Sequence, residues 1–419
     1  MLKRIRAEQL GVGMFVARLG GPWINHPFWR SRFLITEEDQ IQQIVGAGVQ
    51  DVWIDILKGR NVAAAEAPPP PPPPPSPTPV TAPVTGGESR AVPLEAELAR
   101  AREIVANGKS VVGSMFAAAR MGKVMEVSGA LLLVDSASSS LSRHAQALIA
   151  LARLKTRHDY TYLHSFAVCA LMIATGRALG LPDAEVRQLG LGGLVHDIGK
   201  VAVPDTILNK TAAMTAAEEE TMRRHPSAGY RILNEARLYT HIPLDVCIHH
   251  HERVDGRGYP FGLAAHEISL HAKIAAVCDT YDSLTSNHPG HQAWSPARAM
   301  EYIAVRVDTL FDRTAFQAFA RSVGIYPVGT VLRLASNRLA VVCEQNPAAP
   351  LQPGAIVFHS IADAAPLPAE RIELIDGNDS VLAFENARDW GYTDEQMLAL
   401  CADPAGGALG RELAEIAGG

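Results

Sequence analysis

Eight consecutive prolines, Pro68 through Pro75, set the first limit on how this chain can fold. Proline lacks a backbone N–H and fixes φ, so neither helix nor sheet runs through such a stretch; it favours an extended polyproline helix. Ala63–Gly87 therefore reads as a spacer between parts that fold separately. A ligand for a proline-binding domain is the alternative, carried by composition alone. At 419 residues the chain is also too long for one ordinary core. We expect a small N-terminal domain over 1–62, the Pro-rich linker over 63–90, a helical connector over 91–152, a catalytic helical domain over 153–325 and a β-containing extension over 326–419.

Local patterns fill in those segments. Met14–Leu19 and Val52–Ile56 read as strands. Between them Thr36 opens a helix, with Asp39 as its capping-box partner and Ile41, Ile44 and Val45 on one face. Trp23, His26, Phe28 and Trp29 read as a packed aromatic loop. After the spacer, Leu94–Gly122 predicts one long helix or a helical hairpin, and Leu131–Ala152 another helix. From Arg157 to Val323 the spacing stays helical, with breaks at Gly180–Pro182, Pro204, Pro226, Pro243 and Gly256–Gly262, which predicts six or seven helices. Gly329–Cys343 alternates like a hairpin turning at Ser336–Asn337, and Ala355–Phe358 and Ile372–Leu374 add strands. The expected fold class is mainly α: a helical bundle with a small N-terminal α+β domain and a short C-terminal β appendage.

Composition removes several function classes. A formal charge of −6 argues against a general DNA or RNA binder. No apolar run approaches the ~18 residues of a membrane helix. The basic start, Met1–Arg6, has no apolar segment behind it and does not read as a secretion signal. Cys169, Cys247, Cys278, Cys343 and Cys401 are scattered without a CxxC pair, which reads as reduced thiols in a cytosolic protein.

Two short stretches carry chemistry. In one, His196 and Asp197 are adjacent, with Lys200 one helical turn on, so a single turn can present all three. Gly192 and Gly193 just before them suggest close packing of a neighbour. In the other, His249, His250, His251 and Glu252 are consecutive; on a helix His250 and His251 point roughly 100° apart and can approach two cations, while His249 reads as a spare or supporting group. Each has a structural alternative, such as a capped helix end with an Asp–Lys ion pair. The wider pattern weighs against it. His164 lies in an apolar helix, and Asp279 and Asp282 lie in another, where bare carboxylates cost several kcal/mol unless paired or metal-bound. His225 precedes Pro226, which biases its backbone out of the helical region and lets its side chain project at a helix junction.

Together these residues resemble a known family. The order His164, His196-Asp197, Asp279 resembles the signature of HD-superfamily phosphohydrolases, and His225-Pro226, His250-His251-Glu252 and Gly258-Tyr259-Pro260 resemble its HD-GYP subfamily. Val203-Pro204-Asp205, Leu208-Asn209-Lys210 and Asp255-Gly256-Arg257 also fit, and the resemblance covers about 155–325. Residues 1–60 resemble, through Trp23–Trp29, the small domain often attached in front.

The resemblance implies an HD-type bundle and a cytoplasmic bacterial phosphodiesterase that cleaves cyclic di-GMP to pGpG, GMP or both. It implies metal ligands at His164, His196, Asp197, His225, His250, His251 and Asp279, with Asp197 bridging and Lys200 on the phosphate. Gly258, Tyr259 and Pro260 would shape the adjoining loop and dock a signalling partner of the diguanylate-cyclase type; a homodimer is a further expected partner. Some members bind a third cation through a Glu one turn before the first His; here that position is Tyr160, so two divalent ions are expected. Such a pair lowers the pKa of water toward about 7 and generates the attacking hydroxide. Mixed imidazole and carboxylate donors suit iron or manganese over magnesium.

One segment departs from the family. After Asp282, where Arg, Tyr and a second basic residue usually grip substrate, this chain has Asn287-His288-Pro289-Gly290-His291. Asp282, His288 and His291 are therefore the expected substrate contacts there, with imidazoles in place of guanidinium forks. Readings of two classes follow: an active phosphodiesterase, or a binding or scaffold module that keeps its metals without productive substrate grip. A third stays within enzymes, hydrolysis of a different cyclic nucleotide. The complete ligand set favours the first.

Overall fold

Val52 and Ile54 alternate onto one side of a strand and meet Val16 across the sheet; Ile5, Ile35 and Ile44 complete a small apolar core. This computed structural model describes residues 2–19, 33–46, 49, 51–55, 58, 60, 94–123, 127–153, 160–237, 240–288, 290–346, 352–374, 379–404 and 407. The spacer over 63–90 and the loop of Trp23, His26, Phe28 and Trp29 lie outside them. The chain divides into two units, Met1–Arg90 and Ala91–Gly419.

The first unit holds β1 (Leu2–Arg6), β2 (Phe15–Leu19), β3 (Phe33–Leu34), α1 (Glu38–Gly46) and β4 (Asp51–Asp55). Its antiparallel sheet has the order β1-β4-β2-β3. The start of α1 differs from the expected capping box: Gln40 Oε1, not Asp39, accepts from the Thr36 amide at 2.8 Å.

The second unit is the bundle and the C-terminal sheet. It comprises α2 (Leu94–Arg120), α3 (Ser128–Arg153), α4 (Tyr160–Ala178), α5 (Asp183–Val195), α6 (Asp205–Leu208), α7 (Ala216–Met222), α8 (His225–Glu235), α9 (His241–His249), α10 (Leu270–Leu284), α11 (Pro296–Ala304) and α12 (Arg313–Val323). Among the described residues from 160 to 323 there are thus nine helices rather than six or seven. The extra ones are short; α7, for example, is started by a capping box between Thr215 and Glu218. Helix α4 is buried continuously from Leu163 to Ala174, as the central helix of a bundle must be.

Strands β5 (Val331–Leu334), β6 (Arg338–Glu344), β7 (Gly354–Ser360), β8 (Ala365–Glu373) and β9 (Val381–Glu385) form an antiparallel sheet of order β8-β7-β6-β5-β9. The β5–β6 turn falls where the alternation breaks, with Asn337 at φ 57°. Helix α13 (Asp394–Ala402) follows. The sequence predicts five separate thiols, but Cys343 on β6 is joined to Cys401 on α13, Cα to Cα 4.9 Å. The two are 58 residues apart, so only the tertiary contact reveals the pair. Cys169, Cys247 and Cys278 are free and buried. No helix among the described residues is long and apolar enough to cross a membrane.

Two glycines set the spacing that the site needs. A Cβ on Gly193 would lie 2.7 Å from the backbone N and Cα of Cys169, so α5 rides directly on α4. A Cβ on Gly199 would strike the backbone of His225 and Gly229 at the start of α8. Because the obstacle is backbone, no rotamer change relieves it. Gly193→Ala would gain about 1 kcal/mol of helix propensity in an open helix. Here we expect a net loss of roughly 1–3 kcal/mol, measured by urea denaturation; a variant as stable as the parent would contradict this packing.

Candidate metal centre

Five segments of the bundle bring the candidate ligands to one point. His164 comes from α4, His196 caps the C-terminus of α5, His225 opens α8, His250 caps α9 with His251 following, and Asp279 lies within α10. The α5 helix stops at Val195, so His196, Asp197 and Lys200 do not share one α-helical turn as their spacing suggests. Asp197 sits at φ −98°, ψ 6°, and Lys200 lies on a 3-10 turn, Ile198–Ala202. His225 is helical despite Pro226, because a proline in the first turn removes an N–H that has no helical partner. His164, His196, Asp197, His225 and His250 are each at most 1 % exposed.

Their atoms form linked groups. Ligand atoms of His164, His196 and Asp279 lie within 4.8 Å of one another, as do those of His225, His250 and His251, and those of His196, Asp197 and His250. Asp197 joins the first two groups. Its Oδ2 is 3.5 Å from His164 Nε2 and 3.4 Å from His196 Nε2. Its Oδ1 is 3.2 Å from His225 Nε2 and 3.8 Å from His250 Nε2. One carboxylate thus presents an oxygen to each side.

The outer nitrogen of four of the five imidazoles is already committed. His164 Nδ1 is 2.7 Å from Asp282 Oδ2, His196 Nδ1 is 2.8 Å from Gly193 O, His225 Nδ1 is 2.8 Å from Met222 O, and His250 Nδ1 is 3.0 Å from Cys247 O. A carbonyl or carboxylate only accepts, so in each ring Nδ1 donates and Nε2 faces the centre. His225 Nε2 and His250 Nε2 approach to 3.2 Å. Two lone pairs that close need a shared cation or proton. Buried Nε2 groups around a buried carboxylate are therefore a donor set that fits divalent cations.

Charge is partitioned across the cluster. Burial works against protonation of His164 and His196, but Asp197 and Asp279, joined at His164 by Asp282, outweigh it and push the rings up to about 10 and about 9. Burial and the neighbouring imidazoles hold His250 well below its ordinary value, and burial with His225 brings His251 down to about 3. Burial opposes ionisation of Asp197 and Asp279, yet Lys200, His196 and His164 carry Asp197, and His164 and His196 carry Asp279, well below the usual carboxylate range. Metal uptake by imidazoles and carboxylates takes place in exchange for any protons they carry.

A cavity of about 410 Å³ opens onto this cluster, lined in part by Asp197, Lys200, His225, His251, Tyr259 and His288. The Lys200 ammonium pairs with Asp197 Oδ2 and keeps 20 % of its side chain exposed. Tyr259 stacks on His251 at 4.6 Å. Gly258 passes so close to Glu252 and Arg253 that a Cβ would strike their backbone, and Tyr259 and Pro260 are joined by a cis peptide.

Two expected substrate contacts need correcting. Asp282 is fully buried and holds His164 Nδ1, so it orients that imidazole instead of facing substrate. His291 turns away and places Nε2 3.1 Å from Leu284 O, because the segment folds back through a His288–His291 bridge. His288 alone of that pair lines the cavity. One residue escaped the sequence reasoning: buried Glu252 accepts from the amides of Phe261 at 2.7 Å and Leu263 at 3.0 Å, which clamps the Gly258–Pro260 loop. Its position directly after the histidine pair was the available signal.

Similarity to known proteins covers most of the chain. Residues 2–130 match a domain of unknown function (DUF3391), and residues 134–315 match the HD domain. Cyclic di-GMP phosphodiesterase PA4108 of Pseudomonas aeruginosa is 45 % identical over 395 residues, 94 % of each chain. Cyclic di-GMP phosphodiesterase response regulator RpfG of Xanthomonas campestris is 34 % identical over 193 residues, 45 % of this chain and 50 % of that one. The 3'3'-cGAMP-specific phosphodiesterase 3 of Vibrio cholerae is 31 % identical over 175 residues, 41 % of this chain and 37 % of that one.

The Asp282–His164 pair provides a test that does not depend on turnover. Removing a carboxylate that orients a ligating histidine costs about 10–100-fold in metal affinity. Asp282→Asn is expected to weaken Mn²⁺ binding by that factor in calorimetric titration, with the helical circular dichroism retained. Unchanged affinity would remove Asp282 from this role.

Proposed function

The chain belongs to the HD-GYP family of HD-domain proteins, and on that premise we propose that it is a metal-dependent phosphodiesterase that hydrolyses cyclic di-GMP to pGpG, GMP or both. The observation that carries the reading is Asp197, whose two oxygens face two sets of imidazoles already oriented from behind. His164, His196 and Asp279 would hold one divalent cation and His225, His250 and His251 a second, with Asp197 between them. Histidine-rich donors with two carboxylates favour iron or manganese. When bound, the cations supply Lewis acidity and lower the pKa of water.

The protein's own groups do the rest. Lys200 stands on the cavity wall beside Asp197, where an arriving phosphate oxygen meets its ammonium. Burial works against its charge, but Asp197 and Asp279 outweigh that and raise its pKa. It therefore stays protonated at neutral pH, stabilises charge that develops on the phosphate, and can place a proton at the departing sugar oxygen. The Tyr259 ring forms a flat wall for substrate. On the same loop Phe261 is 61 % exposed, an apolar contact for a signalling partner.

The test is anaerobic purification with metal analysis, then incubation with cyclic di-GMP and chromatography of the products. Asp197→Ala is expected to abolish turnover, since it removes the group shared by both sets. Lys200→Ala is expected to lower kcat by roughly 10²–10³, the cost of losing one donor aimed at developing charge. Full activity of Asp197→Ala, or no turnover by the parent with two cations bound, would overturn the reading.

A further inference from the structure

Beside the metal centre lies a second cavity of about 380 Å³ that the reaction described above does not use. The two share Thr161, Lys200, Leu208 and Asn209 in their linings. The far part is lined by Phe116, Arg120 and Tyr162. Phe116 and Arg120 belong to α2, ahead of the residues that match the HD domain.

A cyclic dinucleotide has two phosphates and two purines on one ring. With one phosphate at the cations, the first cavity must take the near sugar and base, and the far nucleotide needs further room. The second cavity nearly doubles the space, and the pair together falls within the size usual for ligand sites. Its chemistry suits a purine. Phe116 and Tyr162 meet edge to face at 5.7 Å and present an aromatic surface on which a base can stack. One N–H of Asn209 Nδ2 donates to Asp205 O at 3.0 Å, which orients the amide so that its Oδ1 can accept from base N–H groups. Arg120 carries the only guanidinium among the described residues that line the two cavities. It contacts Asp205 at 3.4 Å, and both side chains are more than half exposed, so this ion pair is cheap to exchange.

We propose that the second cavity is the subsite for the guanine remote from the cleaved phosphate, with Arg120 donating to its O6 and N7. A guanidinium matches those two acceptors, whereas adenine offers a donor at the corresponding amino group. Arg120 would thus supply the planar fork that the Asn287–His291 segment lacks. This rests on the phosphodiesterase reading above, and it makes Arg120 a specificity-determining residue.

The experiment compares the parent, Arg120→Ala and Arg120→Lys on cyclic di-GMP, cyclic di-AMP and the base-free diester bis(p-nitrophenyl) phosphate. One bidentate base contact corresponds to about tenfold discrimination or more. Arg120→Ala is expected to raise KM for cyclic di-GMP about tenfold with little change in kcat. Its preference for cyclic di-GMP over cyclic di-AMP should fall by a similar factor, and its loss on cyclic di-GMP should exceed its loss on the base-free diester tenfold. Arg120→Lys should recover only part, because an ammonium cannot bridge both acceptors. An unchanged KM and preference overturns the subsite alone, as does an equal loss on the base-free diester. A parent inert toward cyclic di-GMP overturns the phosphodiesterase reading, and the subsite with it.

Discussion

One carboxylate organises this molecule. Asp197 is 1 % exposed, yet it faces four imidazole nitrogens and an ammonium. Burying such a group costs several kcal/mol unless opposite charge or metal compensates it. The inward faces of these helices are otherwise largely apolar, with Leu194, Val246, Cys247 and Cys278 buried there, so sliding them would leave the carboxylate against hydrocarbon. The cluster therefore specifies the register of α4, α5, α8, α9 and α10 as strongly as it specifies chemistry. Stability and function run together here, because the arrangement is best compensated when cations sit between the nitrogens and oxygens.

The end of α5 explains how Asp197 reaches that position. The helix stops at Val195, Asp197 adopts a bridge conformation, and the following 3-10 turn, in which side chains three apart eclipse, sets Lys200 over Asp197. The turn needs Gly199, because α8 crosses immediately against it. His225 is delivered by that same crossing, so one backbone contact positions two of the ligand-bearing segments.

The residue types of the site were legible in the sequence because they were out of place: a histidine in the apolar run of α4 and two aspartates in that of α10 have few stable uses without a partner. The helix and strand periods were legible for the same reason that they form, since one buried face imposes regular spacing. What stayed hidden depends on which side chains meet. Asp282 looked like a substrate contact because it leads into the segment where substrate is expected to be gripped, but it lies behind His164, with Oδ2 2.7 Å from Nδ1. His291 looked equivalent to His288 until the chain folded back and gave its ring to Leu284 O. Glu252 looked like part of the histidine motif, while its work is to hold two amides of the next loop. The Cys343–Cys401 pair has no local signal at all.

Helix α2 shows why the segment ahead of the bundle is more than a connector. Gly108 lies against Phe166, where a Cβ would come within 2.9 Å of the ring, and Phe116 packs edge-on against Tyr162. These two contacts bracket His164 in sequence. Moving α2 away from α4 would open the second cavity and uncover the helix that carries His164. A ligand spanning Arg120 and the cluster would therefore be held by two elements that also hold each other. Whatever such a ligand gains from the closed α2–α4 contact, it returns as added preference for that contact, because coupling between two binding equilibria is reciprocal. The wall of the cavity and the helix that carries His164 would thus behave as one energetic element, even though they belong to separate family matches.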